Sequence, residues 1–209
     1  MSGNSLAQLE KDMLANLVGL FFISGFSALI YQVCWQRLLF TSFGIDLTSI
    51  TIIISIFMLG LGIGAFFGGR IADRYPQKII LVFCAIEFLI GMFGFISYYA
   101  IYTLQELMVQ SSLFMLTFWI FALLIIPTFM MGSTLPLLTT FFNTYIGNIG
   151  ESIGSLYFYN TLGAALGALA TGFILFNYLT ISQTLMIAAC LNIFIAMIIF
   201  ILYGRKKYE

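Results

Sequence analysis

Six long apolar runs, joined by short polar connections, dominate this sequence and leave few folds open to it. A helix needs about 20 largely apolar residues to cross the hydrocarbon core of a bilayer. Stretches of that length run from about 13 to 40, 49 to 69, 79 to 103, 112 to 142, 153 to 178 and 182 to 203. Little else remains of the 209 residues. Only 8% of them are charged, against about 25% in an ordinary soluble domain. Eight basic and eight acidic side chains cannot clothe a soluble surface of this size. The pattern predicts an all-α, polytopic membrane protein with six transmembrane helices. Residues 1–12 read as a polar N-terminal segment in which Asn4 or Ser5 could cap a short surface helix. Residues 13–204 read as the membrane domain and 205–209 as a short tail. The first run is too long for a signal-peptide core, so it is expected to be retained.

The inventory excludes several chemistries. The formal net charge is zero, so there is no basic footprint for nucleic acid. The sequence has no histidine, which removes histidine-based metal sites, triads and proton relays. Cys34, Cys84 and Cys190 are far apart and read as buried apolar residues rather than ligands or disulfide partners. No metal and no cofactor is expected.

Basic residues set the orientation. Lys11 precedes the first span. Arg70, Arg74 and Lys78 lie between the second and third, and Arg205, Lys206 and Lys207 follow the sixth. With six spans these places share one side, expected to be the cytoplasm, so both termini are expected there. Only Arg37 falls toward the other side. The expected location is a cell membrane, the bacterial inner membrane in particular.

Glycines at four-residue spacing mark close helix contacts in lipid. Gly60, Gly64 and Gly68 line one face of the second span, and Gly163 and Gly167 line one face of the fifth. The run Gly60, Gly62, Gly64 imitates a dinucleotide fingerprint. It sits inside an apolar span with no strand before it, so the match is false. After the second span come Gly69, Asp73, Arg74 and Lys78. Their order is similar to the loop-2 motif of major facilitators, where the acid meets a helix N-terminus and the bases pair across a cytoplasmic gate. Pro76 stands where that motif has glycine. A plain topology signal explains the same bases.

Glu87 is the one charge well inside a span, and an intramembrane carboxylate is costly enough to be a site candidate by default. It lies about 12 Å from the start of its span at about 1.5 Å per residue. Ser24, Ser27, Ser133, Thr134, Asn160 and Thr161 fall at a similar depth, with Tyr157 just below. The expectation is one buried polar cluster, serving either a solute or proton site or an internal hydrogen-bond knot. A second patch, Tyr31, Gln32, Gln36 and Arg37, closes the first span beside Trp35. Either it faces an outward vestibule, or Tyr31 and Trp35 belong to the interfacial aromatic belt with Arg37 snorkelling. Pro127 and Pro136 flank Gly132, Ser133 and Thr134, and are expected to break or kink the fourth helix.

Several segments together resemble the membrane domain of fused spermidine-synthase-like proteins. They are Gly25 through Tyr31, Gln32, Trp35 and Arg37, then Gly60 through Asp73 and Arg74, Glu87 through Gly91, Pro127 through Pro136, and Tyr157 through Asn160, Gly163 and Gly167. The resemblance spans about residues 25–192 and implies a half-size, major-facilitator-like bundle. It also implies that Tyr31, Gln32, Arg37, Glu87 and Asn160 share a polar interior. In fused members an aminopropyltransferase-like domain follows on the cytoplasmic side. This sequence ends at Glu209 without that domain's cofactor-binding strand and acidic residues, so its activity is not carried over.

Three functions fit. The first is a membrane subunit of a larger assembly with a membrane or cytoplasmic partner. The second is a homodimeric half-transporter for a small polar or cationic, polyamine-like solute. The third is an intramembrane enzyme, for which the chain offers few acid–base groups. The expected partners are the lipid bilayer and either a second copy or another protein.

Overall fold

The computed structural model describes the backbone of residues 3–43, 46–108 and 110–203, and the side chains of 11–41, 47–108 and 110–203. The helices are α1 (Gly3–Phe43), α2 (Asp46–Arg74), α3 (Ile79–Leu107), α4 (Leu113–Ile146), α5 (Ile149–Ala170), α6 (Phe176–Tyr178) and α7 (Ile181–Tyr203). A 3-10 turn, Pro76–Lys78, leads into α3, and a π-helical segment, Thr171–Leu175, joins α5 to α6. The α5–α6 stretch is therefore one span, and among the described residues six spans are long and apolar enough to cross a membrane.

Helix ends depart from the apolar runs for local reasons. Backbone hydrogen bonds do not stop where hydropathy falls, so α2 continues through Asp73 to Arg74. Likewise α1 begins at Gly3 and runs on without a separate surface helix; the expected caps Asn4 and Ser5 lie outside the described side chains. The connection expected over 143–151 shrinks to two residues. Gly147 takes a left-handed φ of 66° and closes α4, a conformation glycine adopts without steric cost. Asn148 then caps α5, its side chain accepting from the Glu151 amide at 3.2 Å. The basic tail Arg205–Lys207 lies outside the described residues.

The prolines do not break their helix. Helix α4 holds both Pro127 and Pro136 and is unbroken over its 34 residues. Hydroxyls around the prolines bond back to carbonyls of the preceding turn: Thr128 to Leu124 at 2.9 Å, Ser133 to Met130 at 2.7 Å and Thr134 to Met131 at 2.7 Å. These bonds satisfy the hydroxyls inside the helix, as a bilayer requires of polar side chains. The irregular turn lies instead in the fifth span, in the π segment, where Thr171 donates to the Gly167 carbonyl at 2.7 Å.

Packing follows the glycines. α2 packs chiefly on α4, α1 on α5, and α3 on α7. A Cβ placed at Gly64 or Gly68 would strike the carbonyls of Phe129 or Ser133, and one at Gly132 that of Leu61. The other seam repeats this contact for contact: Gly163 faces the Phe22 carbonyl, Gly167 that of Phe26, and Gly25 that of Asn160. A constant shift in sequence relates α1 to α4 and another relates α2 to α5. Three helices carry the chain across an odd number of times, so the two halves run in opposite senses and form an inverted repeat. α3 and α7 cross antiparallel at the centre of the repeat. There Cys84 donates to the Ala196 carbonyl at 3.2 Å, Gly91 lies against Ala189, and Glu87 faces Asn192 between them.

Candidate functional site

Two buried apolar clusters fill the bundle. One lies around Tyr31, Trp35 and Ile53, the other around Phe21, Phe83 and Phe142. Glu87 sits in α3 between Phe83 of one and Ile90 of the other, and is fully buried. Ser24 of α1 donates its hydroxyl to Glu87 Oε1 at 2.6 Å. Asn192 of α7 donates its amide to Oε2 at 2.6 Å. One carboxyl group thereby ties three helices. Each bond is worth roughly 1 kcal/mol net, and losing one partner strands the other at a cost of roughly 1–3 kcal/mol. Ser27 stays within α1 and donates to the Ser24 carbonyl at 2.9 Å.

The remaining members of the expected cluster lie elsewhere. Asn160 is half-buried and donates to the Phe21 carbonyl at 3.0 Å, fastening α5 to α1. Ser133 and Thr134 are spent on α4's own carbonyls. Tyr157 is 61% exposed and Thr161 is also exposed, both on the outer face of α5. Asn192 was not among the expected residues. It is a lone amide within an apolar run, and the same count of depth from the basic end of its span would have raised it.

The outer patch also divides. Tyr31 and Trp35 are fully buried, which corrects their reading as interfacial belt residues. Their rings stack with centroids 5.2 Å apart, and the Trp35 indole donates to Ser97 Oγ at 3.2 Å. The Tyr31 hydroxyl lies against Gly94, where any Cβ would strike it. Gln32 and Gln36 are half-buried and Arg37 is exposed, with its guanidinium 5.4 Å from the centre of the Phe176 ring. At the other end Gly69 is half-buried, while Asp73, Arg74 and Lys78 are exposed. Cys34 is buried, but Cys190 is exposed rather than buried. Among the described residues no group of histidine, cysteine or acidic side chains is placed to hold a metal ion.

α5 exposes several polar side chains within its span. A cleft between α1 and α5 is lined by Ala15, Gly19, Phe22, Ser155 and Tyr159, among others. Tyr159 is 41% exposed there, while Tyr157 and Thr161 lie exposed on the other flank of α5. The fifth span is the least buried of the six and also the least apolar. The sixth, much better buried, is the most apolar.

A relative from Oceanobacillus iheyensis, a polyamine aminopropyltransferase, is 21% identical over 178 residues. The match covers 85% of this chain and 33% of that protein, so the chain spans about a third of the relative's length. No solved structure matches the chain. A family model described as the Major Facilitator Superfamily matches residues 17–209, the whole six-span bundle from the first turns of the buried part of α1 onward. With its inverted repeat and glycine-packed seams, this multi-pass membrane protein belongs to the Major Facilitator Superfamily.

Proposed function

We propose that this chain is one six-helix half of a two-bundle membrane transport unit, and that a small polar solute moves along the face that α1 and α5 present to the second bundle. The observation that carries this reading is the inversion on α5. A helix left facing lipid should be the most apolar of a set, because hydrocarbon offers polar groups no partners. Here the most exposed span is the least apolar, and its exposed surface bears Tyr159 on the flank beside α1 and Tyr157 and Thr161 on the opposite flank. Another protein bundle and an aqueous path both suit such a surface. The buried Glu87 centre holds three helices together and is not open to that face. In this reading both termini lie on the cytoplasmic side of a bacterial inner membrane, in keeping with the basic residues at Lys11, Arg70, Arg74 and Lys78.

The test is flux into proteoliposomes from a panel of small polar solutes that includes spermidine. The expected result is uptake of at least one solute above empty liposomes. That uptake falls at least about tenfold in Thr161→Trp, which blocks the seam, and is unchanged in Phe200→Ala on the lipid-facing side. No uptake across the panel contradicts the proposal.

The relative's name supports a second reading. A match confined to a third of a polyamine aminopropyltransferase suits a membrane portion or subunit that works beside a synthase-type enzyme, close to the spermidine-synthase-like resemblance in the sequence. That reading predicts recovery of such an enzyme with the tagged chain in mild detergent, with Thr161→Trp leaving its activity unaltered.

A further inference from the structure

We propose that the groove between α3 and α7 holds an acyl chain of one anionic glycerophospholipid, with the lipid's phosphate set against Lys78. Neither α1 nor α5 lines this groove, so the site stands independently of the transport reading.

The groove follows from the local sequence. On α3, Leu81, Cys84, Ala85 and Phe88 recur at helical spacing and form one stripe. Ala196 and Met197 of α7 face it. Small side chains at Ala85 and Ala196 leave room between the larger Leu81, Phe88 and Met197, and the groove holds about 490 Å³. Its one thiol is already spent, since Cys84 donates to the Ala196 carbonyl at 3.2 Å. The remaining side chains of the lining are apolar and suit hydrocarbon rather than a polar solute.

Length narrows the occupant. Beyond the groove, α3 and α7 close on each other at Gly91, where a Cβ would crowd Ile193 and the Ala189 carbonyl. From Lys78 to Phe88, one turn short of that closure, the distance is about 15 Å at about 1.5 Å per residue. That is half of a hydrocarbon core of about 30 Å. A slot one leaflet deep matches a lipid chain. A helix of another protein would run the full thickness.

Charge selects the headgroup. Exposed Lys78 directly precedes α3, three residues before Leu81, and the first turn of α3 carries no acid. α7 runs antiparallel to α3, as the pairs Cys84 with Ala196 and Glu87 with Asn192 show. The end of α7 at Tyr203 therefore lies at the same end of the bundle as Lys78. In sequence Arg205, Lys206 and Lys207 come next, and between Lys78 and Arg205 there is no lysine or arginine. The basic positions that bound this long stretch thus adjoin α3 and α7, the two helices that form the groove. Basic sites at the mouth of an interhelical groove favour anionic headgroups. The cleft at the start of α4, around Phe114, Phe118 and Ala122, is smaller at about 240 Å³, and α4 carries no basic residue.

Lipid titration of the full chain tests the site. The purified protein is stripped of lipid in mild detergent and titrated with dioleoyl phosphatidylglycerol or dioleoyl phosphatidylcholine, which share their chains and differ in headgroup charge. Native mass measurement counts the lipid retained. One phosphatidylglycerol is expected to be held at least about fivefold more tightly than phosphatidylcholine. Lys78→Gln is expected to abolish that preference and to leave phosphatidylcholine retention unchanged. Ala85→Trp, at an exposed position, fills the groove and is expected to lose the retained lipid, as is Met197→Trp from the facing helix. Helix content and thermal unfolding confirm that these variants fold. Ala122→Trp, exposed on α4, is expected to retain lipid as the unaltered chain does. Equal retention of the two lipids by the unaltered chain overturns the proposal. So does a preference that survives Lys78→Gln, or retention that survives both tryptophan substitutions in the groove.

Discussion

Glu87 shows how far a single side chain constrains the bundle. It is fully buried, and its two oxygens take the Ser24 hydroxyl and the Asn192 amide, each at 2.6 Å. Removing the carboxyl group leaves two buried donors without an acceptor and opens a cavity. Glu87→Ala is therefore expected to lower stability by about 2–4 kcal/mol, whereas Glu87→Gln keeps volume and an acceptor and loses less than about 1 kcal/mol. Thermal unfolding of the purified variants in detergent checks both values, and equal losses would contradict the clamp. Glu87 was legible in the sequence because a carboxylate stands out in an apolar run. Ser24 was legible by its depth. Depth along a helix gives height in the membrane but not the direction a residue faces, and this is why Asn160, Tyr157 and Thr161 were grouped with Glu87. They share its level and point elsewhere. Tyr31 and Trp35 were misread for the same reason.

The spans were legible as elements because apolar length is a direct consequence of bilayer thickness. Their ends were not, since Asp73 and Arg74 continue a helix that hydropathy had already closed. Pro127 and Pro136 do not interrupt α4, which continues through both over Leu113–Ile146. Nothing in the run Thr171–Leu175 announces a π segment. The glycine spacing, by contrast, was informative, and the seams give it an energetic reading. Gly167→Val would drive a side chain into the Phe26 carbonyl, and Gly68→Val into that of Ser133. Each is expected to lower stability by about 1–3 kcal/mol through overpacking, and by similar amounts, because the repeat makes the two seams equivalent. Gly19→Ala meets nothing within 4 Å and is expected to be neutral. Unfolding midpoints of the three variants, measured side by side, check this. A large difference between the two valine variants would contradict the equivalence.

At the scale of the whole molecule, the bundle has a well-tied back, where α3 and α7 cross at Glu87 and Asn192, and an under-covered margin at α5. Membership of the Major Facilitator Superfamily accounts for the fold, and the polar, exposed α5 accounts for the proposal that a second bundle completes it. The most direct measurement of that claim is the oxygen accessibility of spin labels in lipid vesicles. The labels are carried by Thr161→Cys and, separately, by Phe200→Cys, in a chain whose three native cysteines are replaced by alanine. The account predicts that the label at 161 is shielded from membrane-dissolved oxygen while the label at 200 is freely accessible. Equal accessibility at the two positions would mean that α5 faces lipid and would contradict the account.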